Sequence, residues 1–193
     1  MDYLNDYTAE VGDGLSKTLT TMNGENVDVQ SAFDAWSELV CDRKKKGGTF
    51  FFCGNGASCT IAEHLSHDCF QNGDMKTYTI SETSHITAIS NDLSYEDVFA
   101  YRIGKIGTEN DVLITISSSG NSPNIIKAIQ TARSKKMFVV TVSGKDGDNQ
   151  SRKSGDLNFW VPLPTYGLVE SAHALLLHAL LDAYMDKHMG GRH

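Results

Sequence analysis

Hydrophobic positions along the chain follow two periods, and the period changes near residue 47. Before it, Leu4, Tyr7, Val11 and Leu15 recur at steps of three and four, and Phe33, Trp36, Leu39 and Val40 repeat the pattern. That spacing places apolar side chains on one face of a helix. It predicts helices through residues 1–46, with Asp28 and Ser31 as candidate caps and a break at Met22-Asn23-Gly24-Glu25-Asn26. Beyond it, short apolar or β-branched runs appear at Thr49–Cys53, Lys76–Ile80, Ile86–Ile89, Val112–Ile116, Met137–Val142 and Asn158–Val161. Most are continuous rather than alternating, which predicts strands buried on both faces. Helical patterns over Ile61–Phe70, Val98–Ile106 and Asn124–Lys135 lie between several of them, and a leucine-rich helix is expected over Leu168–His188. Strands alternating with helices imply βαβ units, hence an α/β fold with a doubly wound parallel sheet and N-terminal helices. Neither an internal repeat nor a linker interrupts the pattern. One domain over residues 1–193 is expected: a helical segment at 1–46, then an α/β sandwich at 47–188.

Charge and cysteine usage narrow the partners. The 193 residues carry 24 acidic and 17 basic side chains, a net charge of -7 that disfavours a nucleic-acid partner. The one basic run, Arg43-Lys44-Lys45-Lys46, precedes Gly47-Gly48 and suits a helix C-terminus. No run approaches the roughly 18 apolar residues of a membrane span. The opening residues 1–6 have neither a basic nor an apolar leader, so a cytoplasmic protein is expected. Cys41, Cys53, Cys59 and Cys69 form no Cys-x-x-Cys pair and read as reduced thiols.

Open parallel sheets bind ligands beyond the carboxyl ends of their strands, and two such ends carry unusual loops. One is Cys53-Gly54-Asn55-Gly56-Ala57-Ser58; the other is Ser117-Ser118-Ser119-Gly120-Asn121-Ser122-Pro123. In the second, Ser122 suits an N-cap and Pro123 a first helical turn. Hydroxyls, free backbone N–H groups and a helix dipole make both loops candidate phosphate cradles without a lysine. The Walker and Gly-x-Gly-x-x-Gly patterns are absent, since Cys stands at position 59. Two helices add acid–base chemistry. His64 and Asp68 are four apart and share a face, and Glu170 and His178 are eight apart on nearly one face. Two imidazoles and two carboxylates suit a Zn²⁺ site or proton transfer. Asn91-Asp92 follows an apolar run and could line a polar pocket, although alone it reads as a turn or cap.

Four segments together resemble the sugar-isomerase (SIS) domain, and within it the phosphoheptose isomerases. They are Cys-Gly-Asn-Gly-Ala-Ser (53–58), Ser-His-Ile-Thr-Ala-Ile-Ser-Asn-Asp (84–92), Asp-Val-Leu-Ile-Thr-Ile-Ser-Ser-Ser-Gly-Asn-Ser (111–122) and Thr-Val-Ser-Gly-Lys-Asp-Gly (141–147). The resemblance spans roughly residues 30–185. It implies a flavodoxin-like α/β sandwich and a homotetramer with active sites between subunits. It implies substrate contacts at Asn55, Gly56, Ala57, Ser58, Asn91, Asp92, Ser117, Ser118, Ser119 and Ser122. It implies metal and acid–base positions at His64, Asp68, Glu170 and His178, with one Zn²⁺ per subunit. Position 68 is usually Glu and position 170 usually Gln, so Asp68 is one methylene shorter and Glu170 adds a charge. Gly167 stands where the family places an Asp. The implied reaction converts D-sedoheptulose 7-phosphate to D-glycero-D-manno-heptose 7-phosphate for a bacterial surface polysaccharide. Asp68 or Glu170 would take the carbon-bound proton, both would contact substrate, and His178 would shuttle the oxygen-bound one. The alternatives are an isomerase of another phosphosugar and a non-catalytic relative of the kind that associates with a replication initiator.

Overall fold

The structure is a computed structural model and describes residues 2–192. The chain runs α1 (Tyr3–Ser16), β1 (Leu19–Met22), β2 (Glu25–Val27), α2 (Val29–Lys45), β3 (Phe50–Gly54), α3 (Ala57–Gln71), β4 (Thr77–Thr79) and α4 (Thr83–Asp92). A 3₁₀ turn (Tyr95–Asp97), α5 (Ala100–Ile106), β5 (Val112–Ser117), α6 (Pro123–Ser134), β6 (Phe138–Gly144), α7 (Gln150–Ser154), β7 (Leu157–Val161) and α8 (Tyr166–His188) complete it. The seven strands form one sheet in the order β2-β1-β7-β6-β5-β3-β4.

Strands β4-β3-β5-β6-β7 are mutually parallel. In chain order that is 2-1-3-4-5, the flavodoxin-like winding, with the reversal between β3 and β5. Every residue of β3 and β5 is buried, which is why both read as unbroken apolar runs. Successive β3 side chains enter opposite layers. Phe50 and Phe52 pack with Trp36, Leu65 and Leu176 on one face, whereas Phe51 and Cys53 pack with Phe99, Ile125 and Ile129 on the other. Burying one such phenyl ring contributes about 1.5–3 kcal/mol. Trp36 Nε1 donates to the Leu180 carbonyl at 3.1 Å, tying α2 to α8 and fixing the helix that carries Glu170 and His178. Among the described residues no helix is long and apolar enough to cross a membrane.

Two expectations are corrected. Residues 19–27 are a β-hairpin rather than a helix break: β1 pairs antiparallel with β2 and with β7. Asn23 (φ 52°) and Gly24 (φ 85°) supply the left-handed pair that such a two-residue turn requires. Ile86–Ile89 is part of helix α4 and not a strand. Its two isoleucines are three apart and lean on one core cluster, and no α4 residue is fully buried. Both outer strands of the sheet, β2 and β4, are three residues long.

Candidate active site

The reversal between β3 and β5 leaves a cleft at their carboxyl ends, and both unusual loops open into it. β3 ends at Gly54, where a Cβ would sit 2.6 Å from the Ser58 carbonyl oxygen. Only glycine lets the strand turn this closely into α3. Gly56 follows with φ 57°. The Ser117–Gly120 turn closes through Gly120 N–H donating to the Ser117 carbonyl at 3.0 Å. Gly120 is left-handed (φ 63°), and a Cβ there would lie 2.1 Å from Asn149 Oδ1. Ser122 and Pro123 occupy the N-cap and first position of α6, as the sequence suggests, although the Ser122 hydroxyl makes no cap hydrogen bond.

The resulting cavity, about 190 Å³, is lined by Asn55 and Ser58 from the first loop and by Ser117, Ser118, Ser119 and Ser122 from the second. α8 adds Tyr166 and Glu170. Among the described residues neither a lysine nor an arginine lines it. The Ser118 hydroxyl is buried without a partner among the described residues. The N-termini of α3 and α6 meet here, so backbone dipoles and hydroxyls favour an anion. At the rim the Lys145 ammonium lies 4.1 Å from the centroid of the Tyr166 ring, a cation–π contact.

Further along the same two helices, α3 and α8 bring His64, Asp68 and His178 together. His64 Nε2 is 3.2 Å from His178 Nε2 and 3.3 Å from Asp68 Oδ2, and His178 Nε2 is 3.5 Å from that same oxygen. His178 Nδ1 lies 2.7 Å from the Ala174 carbonyl. A carbonyl only accepts, so Nδ1 carries the proton and the Nε2 lone pair faces the group, the tautomer a metal ligand needs. Ligands about 2.0–2.1 Å from a tetrahedral Zn²⁺ are roughly 3.3 Å from one another. The three separations match that edge, so the residues fit zinc. Glu170 is not among them and faces the serine cavity instead. Gly56 and Ala57 are exposed at the cavity mouth, and Asn91 and Asp92 lie on the exposed last turn of α4, outside the cavity walls.

Three participants escaped the sequence reading. Tyr166 lines the cavity one turn before Glu170, and that i,i+4 spacing was an available signal. Asn124 and Tyr95 reach Asn55 by hydrogen bonds across long stretches of chain, for which no local signal exists.

A SIS domain family model matches residues 7–144. Over 189 residues the chain is 35% identical to a phosphoheptose isomerase of Proteus mirabilis, covering 94% of each protein. The chain belongs to the SIS-domain phosphoheptose isomerase family. A homologous phosphoheptose isomerase of Serratia proteamaculans is 34% identical over the same length. The solved phosphoheptose isomerase of Neisseria gonorrhoeae superposes with a TM-score of 0.79 at 27% identity, over 94% of this chain and 95% of that one. The family model ends at Gly144, ahead of α8, so the SIS match itself excludes Tyr166, Glu170 and His178.

Proposed function

We propose that the protein is a cytoplasmic phosphoheptose isomerase that interconverts D-sedoheptulose 7-phosphate and D-glycero-D-manno-heptose 7-phosphate. The observation that carries this reading is the placement of an anion cradle and a His–Asp–His group along the same pair of helices. Ser58 precedes His64 by six residues and Glu170 precedes His178 by eight, a separation of about 9–12 Å at 1.5 Å per helical residue. An extended seven-carbon chain, six bonds of about 1.5 Å at tetrahedral angles, spans roughly 7.5 Å, and its phosphate ester brings C1 to phosphorus to about 10 Å. The phosphate therefore binds at the serine loop while C1 and C2 reach the imidazoles.

His64, Asp68 and His178 would hold one Zn²⁺ per subunit, which when bound supplies a Lewis acid for the substrate oxygens. The serine hydroxyls and helix N-termini bind the phosphate and orient the far end of the sugar. Both imidazoles engage Asp68 through Oδ2, so Oδ1 of that carboxylate, at the imidazole end of the cleft, is left to act as base. It takes the proton from C1 of the ketose and returns it to C2. Zinc would take the Nε2 lone pair of His178, so its shuttle role belongs to the metal-free ring, where Nε2 moves the proton between O1 and O2 through an enediol.

A homotetramer with sites between subunits fits the surface around the cleft. No α4 residue is fully buried, and Phe70, Leu93, Tyr95, Tyr166 and Leu175 are exposed. A neighbouring copy would cover them and bring further groups to the cavity mouth. The test is to incubate the purified protein with sedoheptulose 7-phosphate and follow the aldose by NMR. Conversion is expected; its absence with and without added Zn²⁺ refutes the isomerase reading.

A further inference from the structure

Asn55 is the polar side chain that links the two loops of the cleft, and all but one of its hydrogen-bonding positions are occupied. Its Nδ2 donates to Asn124 Oδ1 at 2.9 Å, and Asn124 Nδ2 donates back to Asn55 Oδ1 at 2.9 Å. The orientation of this reciprocal pair is set by the backbone. Ile125 N–H donates to Asn124 Oδ1 at 3.0 Å, and a backbone N–H can only donate, so that atom of Asn124 must be the oxygen. Asn124 then presents its nitrogen to Asn55, which fixes the Asn55 oxygen in turn. The Tyr95 hydroxyl donates to Asn55 Oδ1 at 3.0 Å, filling that oxygen's second lone pair. One Nδ2 proton of Asn55 remains. Asn124 is only 2% exposed and does not line the cavity, whereas Asn55 does.

We propose that Asn124 and Tyr95 are positioning residues that lock the Asn55 carboxamide with a single N–H free, so that this position reads a hydrogen-bond acceptor on the sugar. The acceptor class is a carbonyl, ether, phosphate or hydroxyl oxygen lone pair; a group that can only donate is rejected there. The idea rests on the phosphosugar isomerase reading for its substrate, and its geometry stands apart from it. Tyr95 belongs to the 3₁₀ turn that follows Asn91 and Asp92, so the bond also tethers the α4 end of the cleft to the glycine loop.

The test uses the full-length protein and the variants Asn124→Asp, Tyr95→Phe and Asn55→Ala, alone and in pairs. Asn124→Asp keeps the shape and the acceptor for Ile125 but turns a second oxygen toward Asn55 Oδ1. With fold checked by thermal unfolding, it is expected to lower kcat/KM for sedoheptulose 7-phosphate roughly 10–100-fold, the worth of one or two hydrogen bonds. Tyr95→Phe removes one exposed hydroxyl, leaves the fold intact, and is expected to cost about 3–10-fold. In the Asn55→Ala background both losses should vanish, because each acts through Asn55. Wild-type kcat/KM in folded Asn124→Asp or in Tyr95→Phe, or losses that multiply with Asn55→Ala, overturn the proposal. Side-chain amide hydrogen exchange gives a readout independent of turnover. In the unaltered protein one Asn55 Nδ2 proton should exchange slowly and the other fast, and Tyr95→Phe or Asn124→Asp should narrow the difference. Equal exchange of both protons in the unaltered protein refutes the lock. Absence of turnover with unequal exchange refutes the isomerase reading alone.

Discussion

Replacing Gly120 by alanine tests how the serine loop is held. The residue is left-handed, which costs a side-chain-bearing residue about 1–2 kcal/mol. The added Cβ would also lie 2.1, 2.3 and 2.8 Å from Oδ1, Cγ and Cβ of Asn149. Asn149 is wholly buried and cannot swing away. It donates to the Asp146 carbonyl at 2.8 Å and to Ser143 Oγ at 3.2 Å, and it accepts from Arg152 N–H at 2.9 Å as the cap of α7. Displacing it puts three hydrogen bonds at risk, each worth about 1 kcal/mol net. The sum is roughly 4–5 kcal/mol, or about 8–20 °C in Tm for a chain of this size. Gly47→Ala is the control: Gly47 is also left-handed (φ 70°), and a Cβ there would meet nothing within 4 Å. It should lose only the backbone contribution, about 1–2 kcal/mol. Thermal unfolding of both variants at one protein concentration decides the matter. If Gly120→Ala loses no more than Gly47→Ala, Asn149 does not brace the loop and the reasoning fails.

Glu170→Gln, which installs the family's usual residue, should retain zinc by elemental analysis and most of the activity; Asp68→Asn should lose zinc, and kcat should fall about 10²–10⁴-fold, the usual worth of a positioned base. Burial pushes the His173 imidazole down from 6.5 to about 4. The unfolded chain therefore takes up a proton that the folded protein resists between those values. Stability should fall by about 1.4 kcal/mol per pH unit on acidification through that window, and His173→Leu should remove this component from the pH profile of denaturant unfolding. Burial likewise raises the Cys53 and Cys69 thiols, Cys69 to about 12. A thiol reagent should label Cys41 of the native protein first and Cys59, whose thiol burial and Glu63 also raise, more slowly, and reach the other two only on unfolding.

The parallel sheet was legible because β3, β5 and β6 are buried on both faces and so write continuous apolar runs into the chain. The 19–27 hairpin was not. Only Thr20 of β1 is buried, so no alternation marks the strand, and its pairing with β7 joins residues about 140 apart in sequence. Asn23-Gly24 was the missed local cue. At Ile86–Ile89, β-branched residues suggested a strand where the three-residue spacing meant a helix lying on the core. The serine and glycine loops could be read because each hugs one helix start. The Asn55–Asn124 pair could not, because one partner lies in the glycine loop and the other on α6, and they meet only after the sheet closes. The placement of Glu170 among the serines, away from His64 and Asp68, depends likewise on how α8 crosses α3.

The sheet's two outermost strands have a further consequence for the protein in a crowded solution. A long bare edge is a template on which another chain can add a strand and begin cross-chain growth. Here each edge offers only three residues, and one of them carries the exposed Glu25. Self-templating along the backbone is therefore blunted at both ends.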